Sequence, residues 1–159
     1  MARIKVLLDT NVLLYMVNPR SEHAKAITEI IKLANENKLT LFVGAHSLKD
    51  FYYISTKAPY ALNDAEKRKW IAFFLESFVH VDLTSEIQKS ALAGKEPDFE
   101  DGVIRACAES SSCNFIVSYD AAKSAFASET CKKVTAEGLC KILAETFSKT
   151  PKDGEGSSK

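Results

Sequence analysis

Four aspartates lie next to apolar segments of this 159-residue chain, where their carboxylates could act together. Asp9 directly follows the aliphatic run RIKVLL, and Asp120 lies two residues after NFIVS. Asp50 belongs to GAHSLKDFYYI and Asp101 to PDFED. Two carboxylates about 4 Å apart repel by roughly 4 kcal/mol at an effective dielectric constant of about 20, so such a cluster must be protonated or bind a cation. Ligand sets of carboxylates alone favour hard cations such as Mg²⁺ or Mn²⁺.

The segments around these acids alternate between strand and helix patterns. The sequence predicts strands over 3–8, 39–43, 78–83, 114–118 and 133–134, and helices over 21–37, 45–57, 63–77, 84–94, 99–109 and 135–147. Such alternation predicts an α/β fold with a mainly parallel sheet covered by helices on both faces. Ligand sites in these sheets lie beyond the carboxyl ends of the strands. We therefore expect Asp9 and Asp120 to meet if their strands are neighbours.

Two of the acids belong to predicted helices. In the helix over 45–57, Leu48 and Phe51 would face the core, with Asp50 on an adjacent face. Asp98 has the character of an N-cap, and Asp101 three residues later fits a capping-box-like position. Arg105 is four residues after Asp101 and could pair with it.

Each acid also has an ordinary structural interpretation. Asp9 could form an Asx turn into a helix, Asp98 could be only a cap, and Asp50 could be a solvated helix residue. Asp101 could complement a helix dipole, and Asp120 could cap a short helix after it. Singly none of them indicates a site, so the prediction rests on their combination at one edge of one sheet.

Composition narrows the function classes. The 21 basic and 21 acidic residues cancel, so no global positive field would attract a nucleic acid. Candidate phosphate contacts are Lys49, Lys57, Lys67, Arg68 and Lys69, for which a solvated helix face is the alternative. The three histidines do not fall at metal-ligand spacing, although His46 is near Asp50 and could approach the cleft.

The chain is expected to be cytoplasmic. No apolar run approaches the roughly 18 residues that a membrane span needs. The N-terminus begins like a signal peptide, but Asp9 and Asn11 interrupt its apolar run. The four cysteines have no C-x-x-C spacing, which argues against a zinc or thioredoxin-like motif and favours reduced thiols.

Four segments resemble the PIN-domain family, which includes the VapC-like toxins of toxin–antitoxin pairs. They are VLLDTNVLL, SLKDFYYI, PDFEDGVIRACAE and FIVSYDAAKSAF, in the family's order and at about its spacing. The resemblance covers roughly residues 3 to 145. It implies a three-layer sandwich with a central parallel sheet and an acidic pocket holding one or two Mg²⁺ or Mn²⁺ ions.

The resemblance also assigns roles by position. Asp9, Asp101 and Asp120 would be the first, third and fourth acids and hold the metal, and Asp50 stands where the family usually has Glu. Asn11 and Ser118 match polar residues lining the pocket, and Asp98 matches an extra acid of the PDFED-type subgroup. Two departures are the shorter Asp50 and the residues Lys123, Ser124 and Ala125, which stand where a further acid often follows.

The implied function is a Mg²⁺- or Mn²⁺-dependent ribonuclease, the toxin of a toxin–antitoxin pair, with an antitoxin partner and a homodimeric state. One alternative is a catalytically degenerate PIN-like module that binds RNA or protein. Another is a phosphatase with Asp9 as nucleophile, but such enzymes usually need a second aspartate where this chain has Asn11. The expected domain covers 1–147, followed by a disordered tail over 148–159.

Overall fold

The centre of the fold is a parallel sheet in a computed structural model that describes residues 2–120 and 128–149. Its five strands are β1 (Ile4–Leu8), β2 (Leu39–Gly44), β3 (Val79–Val81), β4 (Phe115–Val117) and β5 (Lys132–Val134), in the order β3-β2-β1-β4-β5. The helices are α1 (Thr10–Met16), α2 (Ala24–Asn35), α3 (Ala45–Ile54), α4 (Asp64–Ser77), α5 (Ser85–Ala93), α6 (Phe99–Ser110) and α7 (Ala136–Ser148).

Helices cover both faces of the sheet, which explains why Val6, Leu7 and Leu8 of β1 are all buried. Val6 and Leu8 point into a core shared with α1, α2, α3, α4 and α7. Leu7 points the other way, into a second core shared with α5 and α6. The predicted three-layer α/β sandwich is therefore confirmed.

The strand register brings the carboxyl ends of three strands to one edge. Leu8 of β1 pairs with Val43 of β2 and with Val117 of β4. The Asp9 amide donates to the carbonyl of Val117 at 3.0 Å, which continues the β1–β4 pairing by one step. The strands before Asp9 and Asp120 are thus neighbours, as the site prediction requires.

Most helix ends agree with the sequence signals. Asn63 forms a capping box with Glu66 at the start of α4, and Thr84 and Gly94 flank α5. The prediction over 45–57 was too long, because α3 ends at Ile54. Pro59 lies between α3 and α4, after a cis bond from Ala58.

Some boundary predictions fall partly outside the described residues. The short helix expected after Asp120 falls within 121–127, and most of the expected tail falls within 150–159. Helix α7 includes Ser148, where that tail was expected to begin. No helix within 2–120 and 128–149 is long and apolar enough to cross a membrane.

Arg105 fastens α5 to α6 rather than pairing with Asp101. Its guanidinium contacts the carboxylates of Glu96 and Glu109 and donates to the carbonyl of Ser90 at 2.9 Å. The expected Arg105–Asp101 pair was wrong because these partners surround the guanidinium, whose side chain is only 7% exposed. The four cysteines are free thiols in this structure.

Candidate active site

Asp9 is held in a fixed orientation where β1 meets α1. Its Oδ1 accepts a hydrogen bond from the Thr10 amide at 2.7 Å, and its Oδ2 accepts one from the Ser118 hydroxyl at 2.7 Å. Burial raises the pKa of Asp9, and these two hydrogen bonds lower it. The negative charge of Asp120 raises it again, and His46 opposes that effect. Asp9 is therefore the N-cap of α1, and it is also electrostatically coupled to Asp120 and His46.

Asn11 and Ser118 connect Asp9 to the chain around Asp120. The Ser118 hydroxyl accepts hydrogen bonds from the Asn11 amide at 3.4 Å and from the backbone amide of Asp120 at 3.1 Å. The Asn11 carbonyl oxygen accepts from the Tyr119 amide at 3.3 Å. Ser118 is only 1% exposed, so this network is shielded from water. Both residues, which were expected to line a pocket, therefore lie beside Asp9.

Asp101 lies in the first turn of α6 and faces the same edge. Burial, followed by the charge of Asp120, raises the pKa of Asp101 to about 6. The carboxylates of Asp98 and Asp9 act in the same direction, and the Lys133 ammonium opposes them. The acids that follow β1 and β4 and the acid in α6 therefore act on one another at this edge.

Asp98 caps α6 by a different bond from the one expected. Its Oδ1 accepts from the Glu100 amide at 2.8 Å, so the cap involves Glu100 rather than a box with Asp101. The capping box was wrong in this detail, and the N-cap itself is confirmed.

Asp50 approaches the same group from α3. Its carboxylate raises the pKa of Glu100, after burial as the main cause, and Asp98 and Asp9 add to this effect. Asp50 also acts on His46, whose pKa is lowered mainly by burial. As predicted, Phe51 beside it is fully buried and Leu48 packs against the core.

Three residues of this edge escaped the sequence analysis or received little weight. Glu100 lies between Asp98 and Asp101 in the sequence and was not predicted as a site residue. His46 is one helical turn before Asp50, a spacing that could have identified it. Lys133 comes from β5 and donates to the backbone carbonyl of Asp120, a contact that no sequence motif indicated.

Carboxylate oxygens at this edge are hard donors and suit Mg²⁺ or Mn²⁺. A cation would also offset the repulsion that raises the pKa of Asp101. Among residues 2–120 and 128–149, however, no three His, Cys, Asp or Glu side chains form a group that could hold a metal ion. The described acids are thus electrostatically coupled, but their side chains do not form a metal-binding group in this structure.

Two of the predicted phosphate contacts are engaged elsewhere. Lys67 is only 6% exposed and donates to the Thr56 hydroxyl at 2.9 Å. Arg68 pairs with Asp64 at 2.7 Å. Trp70 packs against the core. The prediction that Lys67 contacts phosphate was wrong, because its side chain is buried between α3 and α4.

Comparison with solved structures identifies similar folds. VapBC2 of Rickettsia felis, bound to a DNA fragment from their promoter, aligns with a TM-score of 0.60 at 14% identity, covering 82% of this chain and 98% of that one. VapC20 of Mycobacterium tuberculosis, described as a sarcin–ricin-loop-cleaving toxin, aligns with a TM-score of 0.57 at 11% identity, covering 74% of this chain and 91% of that one. A protein of Pyrobaculum aerophilum aligns with a TM-score of 0.59 at 18% identity, covering 89% of this chain and 96% of that one.

Sequence comparison identifies the family. No curated protein matches the chain with significance. The family model described as "PIN domain" matches residues 5–122, which is most of the chain. This range includes the four aspartates that define the acidic edge of the sheet: Asp9, Asp50, Asp101 and Asp120. This chain belongs to the PIN-domain family.

Proposed function

We propose that this chain is a divalent-metal-dependent endoribonuclease that acts as the toxin of a toxin–antitoxin pair. The observation that supports it most is the placement of Asp9 and Asp120 at the carboxyl ends of neighbouring strands, where both are hydrogen-bonded to Ser118. The raised pKa of Asp101 agrees with its position near these two acids. Membership of the PIN family and the similarity in fold to VapC20, a toxin that cleaves the sarcin–ricin loop, support the same class of activity.

In this proposal, Asp9, Asp101 and Asp120 hold Mg²⁺ or Mn²⁺. When bound, the ion supplies charge neutralisation at the scissile phosphate and a more acidic water. Hydrogen bonds from Thr10 and Ser118 fix the orientation of the Asp9 carboxylate, which would help it to hold the ion.

Asp50 supplies the remaining carboxylate from α3. It orients the attacking water or accepts its proton while the phosphodiester bond breaks. Because Asp50 is one methylene shorter than Glu, it reaches the reacting atoms through water. Asn11 holds both Asp9 and the backbone at Tyr119, so the first and fourth acids keep their separation during the reaction.

The proposed partners follow from the same family. RNA is the proposed substrate. An antitoxin protein covers the cleft until the antitoxin is released, and the proposed toxin is a homodimer. VapBC2 of Rickettsia felis, which aligns over most of this chain, supports an antitoxin partner by its name and its promoter complex. Since the net charge is zero, the metal and local groups such as Lys133 must attract the phosphates.

Cleavage of end-labelled RNA in Mn²⁺ or in EDTA tests the activity. We expect Mn²⁺-dependent cleavage, and a loss of about 100-fold or more in Asp9→Asn, which removes a charge at the metal. Glu76→Gln is the matched control, because it makes the same carboxylate-to-amide change on α4, beside the amino ends of β1 and β2. Cleavage by Asp9→Asn at the wild-type rate would refute the assignment.

The same assay separates the alternatives. A degenerate module would bind RNA without cleaving it and would gain no stability from Mn²⁺. A phosphatase would hydrolyse a phosphomonoester and leave the RNA chain intact. Such a phosphatase uses a second carboxylate, and Asn11 carries an amide in its place. In this fold that amide donates to Asp9 and Ser118.

A further inference from the structure

The His46 ring is the least satisfied polar group at the acidic edge. Both ring nitrogens are buried and have no hydrogen-bond partner among the described residues. The ring lies directly over the backbone of Gly44, where an added Cβ would overlap Cε1 and lie 2.7 Å from Nδ1. Glycine at position 44 therefore provides the space that the imidazole occupies.

His46 lies between two acids of the proposed active site. The β1–β2 register pairs Leu8 with Val43, which places Gly44 beside Asp9 at the ends of these strands. Asp50 follows His46 by four residues on α3, so the two side chains share a helix face. The imidazole therefore lies among the elements that carry Asp9 and Asp50.

A neutral imidazole has one nitrogen with a free lone pair, which can bind a metal ion. A buried polar group without a partner is destabilising, and a side chain that only filled space here would be better apolar. A lone pair beside two carboxylates is instead a typical mixed nitrogen and oxygen ligand set for a divalent transition ion.

We propose that His46 is a nitrogen ligand of the divalent ion bound by Asp9, and that it shifts the preference of the site from Mg²⁺ toward transition ions such as Mn²⁺ and Co²⁺. The proposal rests on the proposed function, because it assumes that the acidic edge binds an ion. Mg²⁺ takes oxygen ligands almost exclusively, whereas transition ions accept imidazole nitrogen.

Pulsed electron paramagnetic resonance of the full chain loaded with Mn²⁺ tests the ligand directly. Modulation of the electron spin echo by ¹⁴N reports an imidazole bound to the ion. We expect this modulation in the wild type and its loss in His46→Leu. The control His80→Leu removes a histidine on the edge strand β3, whose ring contacts the Phe74 carbonyl, and should keep the modulation.

Metal affinity provides the second readout. His46→Leu should weaken Mn²⁺ binding by at least about tenfold, the minimum cost seen when groups supporting a metal site are removed, and change Mg²⁺ binding much less. Gly44→Ala should weaken Mn²⁺ binding in the same direction, because the new methyl group displaces the ring without removing it.

The outcomes separate this inference from the function on which it depends. If the wild type binds neither ion, the proposed metal site fails and the inference fails with it. If the wild type binds Mn²⁺ without ¹⁴N modulation, or if His46→Leu binds Mn²⁺ as tightly as the wild type, only the role of His46 is refuted. The wild-type spectrum is decisive even if a variant does not fold.

Discussion

Replacing Asp101 with asparagine should stabilise the metal-free protein while abolishing its metal-dependent activity. In the folded state, burial and neighbouring carboxylates raise the pKa of Asp101 from 3.8 to about 6. A raised carboxyl pKa means that the native state binds more protons than the unfolded state, so stability falls as the pH rises between about 4 and 6. At pH 7 the ionised Asp101 therefore destabilises the fold.

The magnitude follows from that shift. A rise from 3.8 to about 6 corresponds to about 3 kcal/mol at roughly 1.36 kcal/mol per unit. Asp101 is partly exposed, and solvent screening reduces this to about 1–2 kcal/mol. Losing an acid in the first turn of α6 costs about 0.5 kcal/mol. The net gain is about 1 kcal/mol, or roughly 2–4 °C in Tm for a domain of this size.

Thermal unfolding in EDTA, compared with unfolding in Mn²⁺, measures this effect. At pH 7 in EDTA, Asp101→Asn should melt above the wild type, and the difference should vanish near pH 4, where Asp101 is protonated. In Mn²⁺ the order should reverse, because only the wild type gains stability from the ion. A variant less stable than the wild type in EDTA at pH 7, or a gain independent of pH, would refute this reasoning.

Three further substitutions test the supports of the fold and site. Ser118→Ala removes the hydroxyl that donates to Asp9 at 2.7 Å, and should lower the free energy of unfolding by about 2 kcal/mol in urea denaturation, with slower RNA cleavage. Arg105→Ala leaves the carboxylate of Glu96, whose side chain is 1% exposed, without its guanidinium partner, and should cost about 3–5 kcal/mol in the same assay. Asn63→Ala removes the capping box of α4, and should cost about 1 kcal/mol with unchanged cleavage per folded molecule. For each variant, a loss of less than about 0.5 kcal/mol in the free energy of unfolding would contradict the role given to the replaced residue.

The elements could be predicted because their signals are local. Aliphatic runs marked β1 and β2, and caps such as Asn63 and Thr84 marked helix starts. Alternation of strands and helices then predicted a parallel sheet, and the neighbouring positions of β1 and β4 confirmed the expected edge. The PDFED-type subgroup stays a prediction.

The rest depends on packing that no local pattern reports. Arg105 turns to Glu96 because α5 and α6 pack closely at Gly102, where an added Cβ would lie 3.0 Å from the Ala91 carbonyl. Lys133 reaches the site only because β5 pairs with β4. His46 had the right spacing from Asp50, but its buried and unpartnered nitrogens become visible only in the folded chain.

The most direct test of the central claim is anomalous diffraction from crystals of this protein soaked in Mn²⁺. We predict an anomalous peak at the carboxyl edge of the sheet, within about 2.0–2.3 Å of carboxylate oxygens of Asp9, Asp101 and Asp120. An empty edge at saturating Mn²⁺, or an ion bound only elsewhere on the surface, would contradict the claim that these acids form a metal site.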